Sequence, residues 1–339
     1  MIRRLKNPPN PFDSQYVEWL GEPPVTQPQV YLDQTRTILA KNESPDLPFT
    51  WSVNPYRGCF HACAYCYARP SHEYLGWGAG SDFENRLVVK KDAPRLLREA
   101  FMRSLWKGEL VVFSGDTDCY QPLEAGWHLT RECLQVCLEF RNPVGIVTKS
   151  ALIQKDLDLL MRLSREAHLT VYFSIPFADE KIARLIEPQA PTLKRRLEAL
   201  KALSEAGVFT GVLVAPVIPG LNDEAIPAIL KAAKAHGARQ ASFVLLRLSG
   251  SVREVFLKTL RQKFPGSADK IIKRIREVRG GKITESEFFY RQRGEGEYWK
   301  SIEQIFNVHR DRLGLNENHP LPPVSPFRRP SPQSEFVFS

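Results

Sequence analysis

At 339 residues, with 43% hydrophobic and 25% charged side chains, the chain has an ordinary globular composition, which excludes a collagenous, low-complexity or wholly disordered protein. The length suits one large domain or two small ones. Forty-seven basic against 38 acidic residues leave a net charge of +9, which suits a polyanion such as nucleic acid and equally suits a plain solvated surface.

The start, MIRRLKNPPNPF, is basic but lacks the apolar stretch of a signal peptide, and the apolar run at 212–218 is interrupted by Pro216. A cytoplasmic protein without a membrane span is therefore expected. Its six cysteines should be reduced there, which favours metal binding over disulfides. Residues 1–48 hold Pro8, Pro9, Pro11, Pro23, Pro24 and Pro28 with little periodicity, and predict an irregular arm.

From residue 49 the pattern alternates between strand and helix. A strand at 49–54 precedes a helix at 62–75 and a glycine-rich loop at 76–80. Helix and strand pairs follow at 93–107 and 110–113, 124–140 and 144–148, 153–166 and 169–174, 192–206 and 209–215, and 224–236 and 241–246. The runs VGIVT, LTVYFSI and FTGVLVA lack polar alternation, as parallel strands covered on both faces do. The expected fold is α/β, a partial (β/α)6 TIM-like barrel over 49–250 with its site at the carboxyl ends of the strands. Residues 251–315 read as a basic helical extension, and the proline-rich segment 316–339 as a disordered tail.

The chemistry is concentrated in NPYRGCFHACAYCYARP, where Cys59, Cys63 and Cys66 are spaced C-x3-C-x2-C. Three thiolates this close can hold three corners of a compact metal centre and leave a fourth position open. Three core cysteines are one alternative. A structural zinc completed by His61, His72 or Cys119 is another, although the second C-x2-C half usual for zinc is missing. The third is an iron–sulfur cluster.

The cysteine motif, with Tyr65 just before its last cysteine, closely resembles the signature of the radical S-adenosylmethionine (radical SAM) superfamily. The flanks NPYRGC and CYAR, then HEYLG, DFE and VVK, resemble the subgroup near spore photoproduct lyase, and the likeness runs over about residues 49–248. The resemblance implies a 4Fe–4S cluster on Cys59, Cys63 and Cys66. Its fourth iron would bind the amino and carboxylate groups of SAM, and reductive cleavage would release a 5′-deoxyadenosyl radical that takes a hydrogen atom from substrate. An electron donor of flavodoxin or ferredoxin type is implied as partner.

In this resemblance the strand end FSGDTDC places Ser114, Asp116, Thr117 and Asp118 at the cofactor, the last three as candidates for the SAM amino group; a simple turn is the alternative. Lys149 could neutralise the SAM carboxylate, or be an ordinary surface lysine. Tyr65 and Ser174 are further candidates for cofactor contact. Asn222 and Asp223 suit the ribose or substrate, or a helix N-cap. Spore photoproduct lyase returns a hydrogen atom from a cysteine near the second strand end, where this chain has Gly115; Cys119 is a substitute donor or a buried structural thiol. Cys133 and Cys137 read as core.

Nucleic acid is one expected substrate class, held by the basic helices after residue 250. A protein, peptide or small metabolite is the alternative, although no cysteine follows Cys137 to hold an auxiliary cluster. A non-catalytic zinc- or iron–sulfur-binding module that binds nucleic acid is the reading from another class. Oligomeric state is not legible.

Overall fold

Residues 28–330 are described by the structure, a computed structural model. The chain enters through two short strands, β1 (Gln29–Leu32) and β2 (Leu39–Lys41). β3 (Trp51–Val53) and β4 (Tyr56–Arg57) precede the cysteine loop, and α1 (Ser81–Asn85) and β5 (Arg86–Val89) follow it. The repeat then runs through α2 (Ala93–Met102), β6 (Val111–Phe113), α3 (Glu124–Trp127), α4 (Leu129–Glu139), β7 (Val144–Thr148), α5 (Leu157–Glu166) and β8 (Leu169–Ser174). It continues with α6 (Glu180–Ile186), α7 (Leu193–Glu205), β9 (Phe209–Val217), α8 (Ile226–Ala235) and β10 (Gln240–Leu245), and ends in α9 (Val252–Lys263), α10 (Ala268–Glu277) and α11 (Gly296–Arg312).

The main sheet is mixed, in the order β10-β9-β8-β7-β6-β3-β2. Its six strands from β10 to β3 are parallel, and β2 adds an antiparallel edge. The sequence reason is the one anticipated: Val111, Phe113, Val144, Ile146, Leu169, Val171, Phe173, Val212 and Val214 are all buried, because helices cover the faces. α5 shows how a helix docks. Leu159, Leu160 and Leu163 recur on one face and are buried in the main core, each contributing about 1.5–3 kcal/mol. A separate three-stranded sheet, β1-β5-β4, lies beside the cysteine loop.

The two edges of the main sheet are drawn together. β10 is extended by the segment near residue 292, whose Gln292 carbonyl accepts from Leu245 N at 3.1 Å. The adjoining Arg291 reaches Asp46, just after β2, with Nε at 2.7 Å and a second nitrogen at 2.5 Å. Both side chains of this pair are buried.

Several expectations need correction. No helix spans 62–75; the loop turns through Ala62 at φ 58°, and only a 3-10 turn forms at Arg69–Leu75, opened by Pro70 and closed by left-handed Gly76. The helix expected at 124–140 is broken at His128, φ 55°, because the Glu124 carboxylate accepts from Thr130 N and Arg131 N at the start of α4. β5 and α6 were not anticipated. The arm is not irregular throughout, since β1 pairs with β5 and β2 with β3.

The tail is ordered over 316–330. His319 stacks between His168 and Phe209, and Phe327 stacks on Phe140 and meets Phe101 edge-on. Four aromatic contacts offset the ordering entropy that the prolines already lower. The remaining parts of the expected arm, 1–27, and tail, 331–339, lie outside the described residues.

Candidate active site

The cysteine loop is held by side chains that the cysteine spacing alone does not reveal. Gly58 takes φ +72°, and a Cβ there would lie 2.8 Å from the Phe83 carbonyl oxygen and 2.9 Å from the His72 ring, so no larger residue fits. Gln121 donates to the Gly58 carbonyl at 2.9 Å and accepts from Phe60 N at 3.1 Å. Arg69, fully buried, donates to the carbonyls of Ala62, Cys63, Ala79 and Gly80 and to the Glu84 carboxylate, at 2.8–3.2 Å. A planar five-donor fork is the one side chain that can bind this many diverging acceptors.

Cys59 and Cys63 are buried, and Cys66 is partly open. Burial pushes all three thiols up; for Cys63, burial and then Glu187 raise it to about 12. The three sense one another's charge, and Arg69, Lys149 and Arg196 favour their thiolates. Mutually close sulfurs within a cationic shell fit a cluster that takes one thiolate per iron. Among the described residues no three His, Cys, Asp or Glu side chains are arranged around a single metal ion. The zinc alternatives are engaged elsewhere: His61 Nδ1 lies 3.4 Å from Asp118, His72 Nε2 lies 2.8 Å from the Arg86 carbonyl, and Cys119 sits in the main core.

Tyr65, Lys149 and Ser174, far apart in sequence, converge. Lys149 Nζ donates to Ser174 Oγ at 3.0 Å, lies 4.0 Å from Glu187 Oε1 and stands 5.6 Å over the Tyr65 ring. The Tyr65 hydroxyl donates to the other acceptor of the group, Glu187, which also receives Arg196 at 2.5 Å. Burial pushes the Glu187 carboxyl up, but Arg196 and Lys149 more than offset it and hold it below the usual carboxylate range. Glu187 and Arg196 went unrecognised in the sequence. The only available signal was a charged pair, in EPQAPTLKRR, that looks like any surface of an amphipathic helix.

The β6 end divides its polar groups. Ser114, at φ 70°, accepts from Cys119 N at 2.9 Å, and Thr117 Oγ1 donates to the Tyr56 carbonyl at 2.9 Å. Asp118 is fully engaged, accepting from Thr148 Oγ1 at 2.7 Å, Tyr120 N at 2.9 Å and Lys149 N at 2.8 Å. Burial lifts the Asp116 carboxyl to about 6, and the nearby Lys90, Arg57 and Ser71 only partly offset it. Asn222 ties β8 to β9: it accepts from Ile218 N at 2.6 Å and donates to the carbonyls of Pro176 and Pro216 at 2.8 and 2.9 Å. Asp223 accepts from Tyr298 at 2.5 Å. Cys119 is 1% exposed, and its thiol is raised by burial, so it packs as a core group, as Cys133 and Cys137 do.

Next to Cys66 in the chain, the Tyr67 hydroxyl lies close enough to Cys66, Asp116 and Arg247 for each to act on it through space. Tyr67 is 52% exposed, and its hydroxyl donates to the Gly115 carbonyl at 2.8 Å. A Cβ on Gly115 would come within 2.7 Å of Ser52 Cβ, so a larger side chain there would require Ser52 to shift.

The sequence profile described as Radical SAM superfamily matches residues 53–233, more than half of the chain. This chain belongs to the radical SAM superfamily. Radical SAM proteins use a 4Fe–4S cluster and SAM. An uncharacterised protein of Mycobacterium tuberculosis is 35% identical over 244 residues, 70% of this chain and 71% of its own length. An uncharacterised protein of Acidianus two-tailed virus is 33% identical over 261 residues, 74% of this chain and 83% of its own length. Among solved structures, spore photoproduct lyase complexed with dinucleoside spore photoproduct superposes with a TM-score of 0.60 at 16% identity, over 84% of this chain and 78% of the lyase. That likeness is one of fold. Among the described residues of this radical SAM protein, no helix is long and apolar enough to cross a membrane.

Proposed function

We propose that this radical SAM enzyme abstracts a hydrogen atom from a nucleic-acid substrate held in the cleft beside Cys66. One observation carries the reading. The exposed ring of Tyr67 stands near Asp116, on which Lys90 and Arg57 act, a surface suited to a stacked base and its phosphates.

The six parallel strands are read as a partial (β/α)6 barrel drawn inward by the Asp46–Arg291 pair, with the cysteines at its carboxyl-end mouth. Cys59, Cys63 and Cys66 would hold the cluster. Lys149, oriented by Ser174 and by the charge of Glu187, would take the SAM carboxylate, and Asp116 is the acceptor left for its amino group. When bound, the reduced cluster and SAM supply a 5′-deoxyadenosyl radical for hydrogen abstraction. The protein's own part is orientation: Arg196 and Tyr65 fix Glu187, Glu187 fixes Lys149, and Arg69 fixes the loop. A flavodoxin- or ferredoxin-like donor would provide the electron.

The basic extension supports the same substrate class. Val255, Phe256, Leu260, Ile271 and Ile275 of α9 and α10 pack in one core with Cys63 and Tyr65, which leaves Arg253, Lys258, Arg261, Lys263, Lys270, Lys273 and Arg276 exposed beside the site. Arg279 is not part of this surface; it is buried and donates to the carbonyls of Leu246, Tyr290, Arg291 and Arg293.

The test is anaerobic reconstitution, reduction and incubation with SAM and with deuterated nucleic-acid or protein fractions. Deuterium in 5′-deoxyadenosine from the nucleic-acid fraction alone is expected. Deuterium from a protein or small-molecule fraction would replace the substrate class, and SAM left intact would remove the enzymatic reading.

A further inference from the structure

A cavity of about 910 Å³ opens between the turn after β7, the α6–α7 linker and the start of α7. His61 lines it, and His61 stands midway between Cys59 and Cys63 in the chain. Two trans peptides put the His61 Cα within about 7.6 Å of the Cα of either cysteine. The His61 carbonyl accepts from Gln189 N at 3.3 Å, so the linker is fastened to the cysteine loop at this wall. Neither Cys66 nor Tyr67 lines the cavity. It is therefore a second approach to the cysteine loop, one that leaves the substrate side at Cys66 free.

The charged side chains of the lining are Lys155, Arg184, Arg195 and Glu198. Glu198 lies 3.8 Å from Lys194, and Arg184 lies 3.1 Å from Glu180. Lys155 and Arg195 are exposed and enter no ion pair among the described residues. The cavity rim is therefore positive, which steers an acidic partner toward it. Nucleic acid suits this rim less well. The two rings of the lining, His61 and Tyr120, are 2% and 1% exposed, so none is offered to a base.

Reductive cleavage of SAM needs an electron from outside the chain. Electron transfer weakens steeply with distance, so the donor must seat where little protein separates it from the cysteines. The cavity meets that condition at His61.

Building on the radical SAM reading above, we propose that this cavity docks an acidic one-electron carrier protein, with Lys155 and Arg195 pairing with carboxylates on the carrier and His61 forming the thin wall between carrier and cysteine loop. The carrier loses one electron and the centre held by the cysteines gains it; no bond forms or breaks in that step. His61 keeps the two redox centres apart but close, and the substrate can stay bound at the Cys66 side meanwhile.

The test compares two reductants on anaerobically reconstituted protein: reduced flavodoxin, an acidic carrier, and dithionite, which needs no docking site. Lys155→Glu and Arg195→Glu should each raise the KM for flavodoxin in SAM cleavage by about tenfold. Each should weaken flavodoxin binding by calorimetry to the same degree, and the loss should shrink at high salt. Dithionite-driven cleavage and iron content should stay as in the parent protein, and Lys231→Glu, exposed on α8, should behave as the parent does. Unchanged flavodoxin KM and affinity in both variants would overturn this inference and leave the enzymatic reading standing. Equal losses with flavodoxin and dithionite would also overturn it, since the damage would not lie in docking. A parent protein that cleaves SAM with neither reductant would overturn both readings. Weakened oligothymidylate binding in the variants, with flavodoxin kinetics unchanged, would reassign the two cations to nucleic acid and overturn the inference.

Discussion

Arg69 is where the loop is most exposed to a single substitution. Its guanidinium meets four carbonyls and the Glu84 carboxylate in the protein interior. Arg69→Met removes every one of those donors and leaves Glu84, 5% exposed, without its cation. Breaking a buried ion pair from one side costs about 3–5 kcal/mol. A chain of this size has a urea slope near 3 kcal/mol per molar, so the midpoint should fall by about 1–2 M. Arg69→Lys keeps the charge but not the fork, and should lose roughly half as much. The assay is equilibrium urea unfolding under anaerobic conditions, paired with iron per chain after reconstitution. Iron should fall as well, because the bonds to Ala62 and Cys63 fix the path between the cysteines. An Arg69→Met protein with the parent midpoint and full iron would refute the argument that this fork holds the loop.

The other expectations are simpler to state. Cys59→Ala, Cys63→Ala and Cys66→Ala should each lose the cluster, about four irons per chain in the parent, whereas Cys133→Ala should keep it; stoichiometric zinc without SAM cleavage would sink the cluster assignment. Lys149→Met should weaken SAM binding by about tenfold with iron unchanged, since it removes one charge-assisted contact, and an unchanged dissociation constant by calorimetry would reject that role. His168 bears on acid stability. Burial, with some help from His319, lowers it to about 4, so below about pH 6.5 the unfolded chain takes up a proton there that the folded chain refuses. Its contribution is therefore complete above pH 6.5 and is lost as pH falls toward 4, by up to about 3 kcal/mol; His168→Phe should flatten that part of the stability curve, and an identical acid branch would count against it.

How much of this was legible depended on where the physical cause lay. The apolar runs at 144–148, 169–174 and 209–215 read directly as buried parallel strands, because a strand covered on both faces has no polar position to alternate. The cysteine loop read wrongly as a helix, because alanine and tyrosine in ACAYCYA have adequate helix propensity and nothing local opposes it. What opposes it is tertiary: Arg69, Gln121 and the close approach of Phe83 to Gly58 offer the backbone better partners than a helix would. The tail read as disordered from its prolines, yet His319 and Phe327 find rings supplied by α2, α4, β9 and the turn before β8.

The same division runs through the site. The sequence by itself pointed to the metal chemistry, because the C-x3-C-x2-C spacing with its aromatic is local. It also determined the order of strands, because each apolar run carries its own hydrophobic burial. Only the tertiary structure decided which strand-end residues are free to act. Asp118 and Asn222 share the chemistry of a ligand-binding side chain, but their hydrogen bonds are taken up inside the protein. Lys90 and Arg247 lie more than a hundred residues apart and look like ordinary surface cations in the sequence. Their burial is a property of the folded chain, since an ion's free energy is set by what surrounds it and not by its neighbours along the chain.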